Sequence, residues 1–189
     1  MTAPDLTPYR LVHRAMRDAA HRLADAATGL DSDDDRRVEA FARYWQGYAG
    51  ELRCHHRIED DVLFPALVER VPVAAGHVGR SDADHLRLDV LIESVEAEVA
   101  AVRLGAPADV LSGYLGALAD HIDEHLDLED QDLLPLFERH FDAEEYRRLE
   151  ERAQRTIGLG RQAVFTLPWI AAAMTEEEQA TVLATAPLP

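Results

Sequence analysis

Residues 55–65 read HHRIEDDVLFP and residues 125–135 read HLDLEDQDLLP. The two stretches align at an offset of 70 residues, pairing His55 with His125, Glu59 with Glu129, Asp60 with Asp130, Leu63 with Leu133 and Pro65 with Pro135. Tyr44 and Tyr114 match at the same offset. Each copy is H-x-x-x-E followed, six residues after the Glu, by Pro. A second match, at an offset of 72, pairs His13 with His85 and Met16 with Leu88. Such a repeat constrains the fold strongly, because both copies must adopt the same local structure and bury their apolar faces together.

That local structure is helical. Alternating β-branched runs are absent, and Ala, Leu, Glu and Arg dominate. Apolar residues recur at helical spacing over about Thr7–Ala27, Asp34–Arg70, Ser81–Leu104 and Pro107–His140. Gly29, Pro72 and Gly105 punctuate these segments, and the "SDAD" run opens the third. Pro65 and Pro135 predict a kink or break inside the second and fourth. A shorter amphipathic helix follows at about Glu144–Gly158, and one more short helix from about Thr175. The pattern predicts an all-α, antiparallel up-down-up-down four-helix bundle with additional short C-terminal helices. Residues 1–158 would form the bundle domain, with its core at about 5–140, and residues 159–189 a C-terminal extension.

Residues four apart on a helix lie about 40° apart around the axis and about 6 Å apart along it. His55 and Glu59 therefore share a face, as do His125 and Glu129. One isolated H-x-x-x-E is ordinary, since such pairs occur on solvated helix surfaces. Two copies, each beside a helix with its own histidine, bring His13, His55, Glu59, His85, His125 and Glu129 to one level of the core. Burying them unpaired would be costly, and a metal removes that cost. Imidazole and carboxylate donors without thiolate suit iron, manganese or zinc. Two carboxylates able to bridge predict two metal ions, as in di-iron and di-manganese carboxylate bundles.

The other histidines are weaker candidates. His56 sits about 100° round the helix from His55, and His56 with Asp60 forms a competing register that the repeat disfavours. His121 shares the face of His125 and is a candidate extra ligand or a group behind the ligands. Tyr48, two turns before His55, is a candidate for gating access or donating a hydrogen bond to bound oxygen species. Tyr44 and Tyr114 are expected to fill the core above the site. His21, His77 and His140 are expected on the surface or in loops.

A formal net charge of −17, from 36 acidic against 19 Lys and Arg residues, argues against nucleic acid as a partner. No apolar run is long enough to span a bilayer, so no membrane partner is expected. The N-terminal residues lack a secretory pattern. A single cysteine, Cys54, fits a reducing cytoplasm.

The order His, H-x-x-x-E, His, H-x-x-x-E, with "LFP" and "LLP" after the two motifs, resembles the hemerythrin-like HHE cation-binding domain. The resemblance covers about residues 5–140, and the "LPWI" tail is similar to bacterial, especially actinobacterial, members. It implies a non-haem di-iron centre with Glu59 and Glu129 bridging and the four histidines as terminal ligands. Oxygen-carrying hemerythrins have H-x-x-x-H on the third helix, whereas His85 is followed four later by Asp89. They also use a more distant Asp in the last motif. The resemblance thus points away from pure O2 transport and toward binding of or reaction with O2, peroxide or NO, in oxidative or nitrosative stress or iron homeostasis. Catalase-like or oxidase-type redox activity is one expectation; an iron or oxygen sensor, or an iron-binding module without turnover, is the alternative.

Overall fold

The first helix, α1, spans Thr7–Thr28 with a proline in its opening turn, where a missing N–H leaves no bond unmade. α2 spans Asp35–Ile58, and the Asp34 side chain accepts a hydrogen bond from the Arg37 N–H at 3.1 Å, a helix N-cap. These elements belong to a computed structural model that describes residues 2–157 and 162–179. The protein is all-α, with no strand among the described residues.

Past Ile58 the helix widens instead of breaking. Residues Glu59–Leu63 form one π-helical turn, and α3 continues as Phe64–Arg70. The Phe64 N–H reaches back to the Glu59 carbonyl. Pro65 can donate nothing and crowds the turn before it, and a wider turn relieves both problems. The second copy does the same. α5 covers Asp109–Leu128, a π-helical turn covers Glu129–Leu133, and Leu134 N–H bonds to Glu129 O before α6, Leu134–His140. The expected breaks at Pro65 and Pro135 are therefore bulges, and each starts at the Glu of the repeat.

α4 spans Ala75–Val102, beginning six residues ahead of the expected start at Ser81. A 3-10 turn at Pro72–Ala74 leads straight into it. Ser81 is consequently buried inside the helix, and His77, expected on the surface or in a loop, lies in α4 with Nδ1 2.9 Å from Asp132 Oδ2. Gly105, at φ 92°, takes the left-handed conformation that ends the segment at little cost.

The four long helices form a bundle around two apolar clusters. Contacts fall along α5 as they rise along α1: His13 meets Asp130, Arg17 meets Asp127 and His21 meets Asp123. The larger cluster includes Met16, Leu52, Leu88 and Ile122; the smaller includes Leu6, Leu63, Val78 and Leu133. On α1, α2 and α4 the chemically interesting residues fall between the two clusters, and on α5 they straddle the edge of the larger one. The site is thus roofed and floored by hydrocarbon.

α7 spans Ala143–Ile157, and α8 spans Gln162–Ala173 with Pro168 inside it. Of the short helix expected from about Thr175, the described residues show helical turns at 176–179. α8 was not expected. It packs on α1 and α2, with Trp169 and Ala173 joining the larger cluster and Phe165 against it. Gly47 makes this approach feasible, because a Cβ there would run into the Phe165 ring. Tyr44 meets Phe165 with ring centroids 5.5 Å apart, but Tyr114 is 38% exposed and fills no core. No helix among the described residues is long and apolar enough to cross a membrane.

Candidate metal centre

All six residues singled out by the repeat converge. His13, His55, Glu59, His85, His125 and Glu129 are buried. Their ligand atoms fall into two overlapping sets, each tight enough to hold a metal ion. One is His13, His55, Glu59 and Glu129; the other is His85, His125, Glu59 and Glu129. The sets interchange under the repeat, so the centre has an approximate two-fold relation.

The two carboxylates make the connection. Glu59 places Oε1 3.1 Å from His55 Nε2 and Oε2 3.3 Å from His85 Nε2. Glu129 places Oε1 3.5 Å from His125 Nε2 and Oε2 3.4 Å from His13 Nε2. Each carboxylate therefore faces one half with one oxygen and the other half with the second.

The residue following each Glu orients a histidine of the opposite half. Asp130 Oδ1 accepts from His13 Nδ1 at 2.8 Å, and Asp60 Oδ1 accepts from His85 Nδ1 at 2.9 Å. Arg17 Nη2 donates to Asp130 at 3.1 Å and holds it in place. With the proton on Nδ1, each Nε2 lone pair is turned inward, the arrangement common behind metal-bound histidines. One turn before each of these histidines, Tyr9 donates to Glu59 and Ser81 donates to Glu129 at 2.8 Å. Tyr9 and Ser81 are themselves related by the 72-residue offset. Asp60, which belongs to the register that the repeat disfavours, therefore serves the centre by holding His85.

His56 is the larger correction. Both His55 and His56 are buried. The repeat disfavours the register of His56, yet the structure buries it beside the second ligand set. Two foci flank α2, so directions about 100° apart both point inward. His56 joins His85 and His125 in a third ligand-sized set, its ring lying nearly parallel to that of His85 at a centroid distance of 4.1 Å. The residue at its repeat position is Leu126, so His56 breaks the two-fold relation. Composition could have flagged it, since a histidine standing where the other copy has a buried leucine is an anomaly.

His121 and Tyr48 lie outside the cluster. His121 is half-buried with Nε2 3.8 Å from Asp84, and the Tyr48 hydroxyl donates to the Met16 carbonyl at 3.1 Å. The backbone oxygen claims the one proton Tyr48 could offer.

Three of the five clustered imidazoles are held neutral. Burial pushes His125 down to about 3 and lowers His13. Burial and then the neighbouring His85 hold His56 well below its ordinary range. These imidazoles are neutral, with lone pairs available. Burial also opposes charge on His55, but Glu59 and Glu129 outweigh it and raise that imidazole to about 10. Burial and the Glu59 charge push Glu129 up to about 7.

The donor set fits a metal on its own terms. His13 Nε2, His55 Nε2, both nitrogens of His56 and of His125, Glu59 Oε2 and Glu129 Oε2 are buried without a hydrogen-bond partner. Orphaned buried polar atoms are rare and demand an explanation, and each of these residues offers one ligand atom to a set tight enough to hold a metal ion.

The family model for the hemerythrin HHE cation binding domain matches residues 7–137. Among curated proteins, the zinc finger protein BRUTUS of Arabidopsis thaliana is 27% identical over 165 residues, which cover 69% of this chain. The chain spans 13% of that relative's length. No solved structure matches the chain. From the matched residues and the buried His and Glu cluster together, the chain belongs to the hemerythrin HHE cation-binding domain family.

Proposed function

We propose that the centre holds two iron ions and that the protein binds or reacts with O2, peroxide or NO, working in the reducing cytoplasm in oxidative or nitrosative stress or in iron homeostasis. One observation carries this reading: Glu59 and Glu129 each face both halves of the cluster with separate oxygens. His13 and His55 would serve one ion, and His85, His125 and His56 the other. Bound iron supplies redox change and Lewis acidity. The chain's own residues do the rest. Asp130 and Asp60 fix the tautomers of His13 and His85. Tyr9 and Ser81 steady the carboxylates. The apolar clusters above and below keep bulk water out. The His13 and His55 set has one histidine fewer, which leaves the small ligand room on that side. Catalase-like or oxidase-type turnover is the activity to assay.

The orphaned donors favour a second reading beside it, a binding module whose folded state depends on its metal. Metal analysis of the purified protein, with a visible spectrum before and after oxygen or peroxide, separates the possibilities. Iron with charge-transfer bands and rapid peroxide loss supports a redox enzyme. Iron without turnover supports the module. Protein that takes up neither iron nor colour ends the iron reading. A sharper prediction concerns His56. The His56→Leu variant copies the residue of the other half, so the fold should tolerate it. It is expected to weaken one ion by about 10-fold to 100-fold, at least the loss typical when a group behind a ligand is removed, and to leave the other ion unchanged. Competition with a chelator measures both.

A further inference from the structure

The family match ends at Phe137, and the helices beyond it build something the bundle alone lacks. α7 and α8 close a cleft of about 440 Å3 against α1 and α2. Tyr9 and His55 are part of its lining, so it adjoins the half of the centre with fewer histidines. Val12, Met16 and Ile58 line the bundle side, and Ala153, Leu167 and Ile170 line the side of the C-terminal helices. No lysine or arginine lines it among the described residues. Of its acidic groups, Glu51 already accepts a hydrogen bond from Thr166. Glu150 is half-buried at the edge, with its carboxyl raised by burial and by Asp5.

These features select a ligand class. An anion would meet two carboxylates, and the one imidazole in the lining, His55, is already paired with Glu59 at 3.1 Å. A cation would have to take Glu51 from Thr166. The size falls within the range of small-molecule pockets, and such pockets are mostly apolar with a few placed polar groups. We propose that this cleft binds an uncharged, apolar small molecule, about the size of a bicyclic aromatic, seated between the C-terminal helices and the Tyr9–His55 wall. Binding itself does not require the iron reading; its position beside a reactive metal rests on it. α8 would then be part of a ligand site, with Phe165 seated on Gly47 as its anchor.

The test is a fluorescence titration of the full chain with the uncharged probe N-phenyl-1-naphthylamine. Saturable binding at one site per chain is expected. Ile170→Trp, which fills the cleft, and Leu167→Glu, which places a charge in its lining, should each weaken binding by about tenfold or more. Leu167 is 72% exposed, so that variant leaves the core untouched, and circular dichroism melts verify both. The anionic probe 1-anilinonaphthalene-8-sulfonate should bind at least about tenfold more weakly. The proposal is overturned by absent saturation, by unchanged affinity in both variants, or by equal binding of the anionic probe or a trimethylammonium analogue. Iron content is measured on the same samples. Probe binding to protein that takes up no iron would end the iron reading and leave the cleft standing.

Discussion

Glu59→Ala is expected to drop bound iron from two ions to below about one per chain, because bridged dinuclear sites in bundles share their carboxylates between both ions. Glu59 belongs to both ligand sets and touches a histidine on each side. Removing a terminal histidine such as His13 takes a donor from one set only. The contrast between the two variants is the informative result. If Glu59→Ala kept one ion at full affinity, the two halves would be independent sites, and the bridging role would be wrong. Elemental analysis gives the stoichiometry, and the peroxide assay on the same sample shows whether any turnover survives. The Glu129→Ala variant should match it, since Glu129 stands in the same relation to His125 and His13.

Stripping the metal should lower the melting temperature by roughly 8–16 °C. The figure follows from two steps. A ligand held at about 1,000 times its Kd stabilises the native state by about 4 kcal/mol, and each kcal/mol moves the melting point by about 2–4 °C in a domain of this size. The physical source is the set of eight buried nitrogen and oxygen atoms without hydrogen-bond partners in His13, His55, His56, Glu59, His125 and Glu129. Protein dialysed against a chelator and then reloaded with iron provides the comparison in differential scanning calorimetry. An unchanged melting point would mean that the cluster is reconciled to burial by its own internal ion pairs.

The residues differ in how far sequence alone could read them. The helices and the six-residue cluster were legible because the repeat encodes them twice, and two weak signals at one spacing reinforce each other. His56 was hidden because the repeat pairs it with Leu126, and a match between copies does not report a residue that only one copy uses. Asp60 and Asp130 were visible as a matched pair, but their work lies across the bundle, on His85 and His13, and no periodicity along one helix reports a contact between halves. The start of α4 was hidden because Ser81 looks like a cap, while its hydroxyl is used on Glu129. α8 was hidden by Pro168, which reads as a breaker although the helix runs through it. Its apolar residues show no strong one-sided pattern, since one edge meets the bundle and another lines the cleft.

The crossed wiring of the two halves has a consequence for how such a centre can be assembled. His13 is oriented by Asp130 and His85 by Asp60, and each ligand set borrows one glutamate from the opposite half. A single helix pair bearing His, then H-x-x-x-E-D, would therefore own only three of the four donors it needs. It would be complete only against another copy of itself, as in an isologous dimer. Joining both copies in one chain makes that pairing independent of protein concentration. It also frees the copies to diverge, and His56 opposite Leu126, like Tyr9 opposite Ser81, is a place where they have done so beside the cluster.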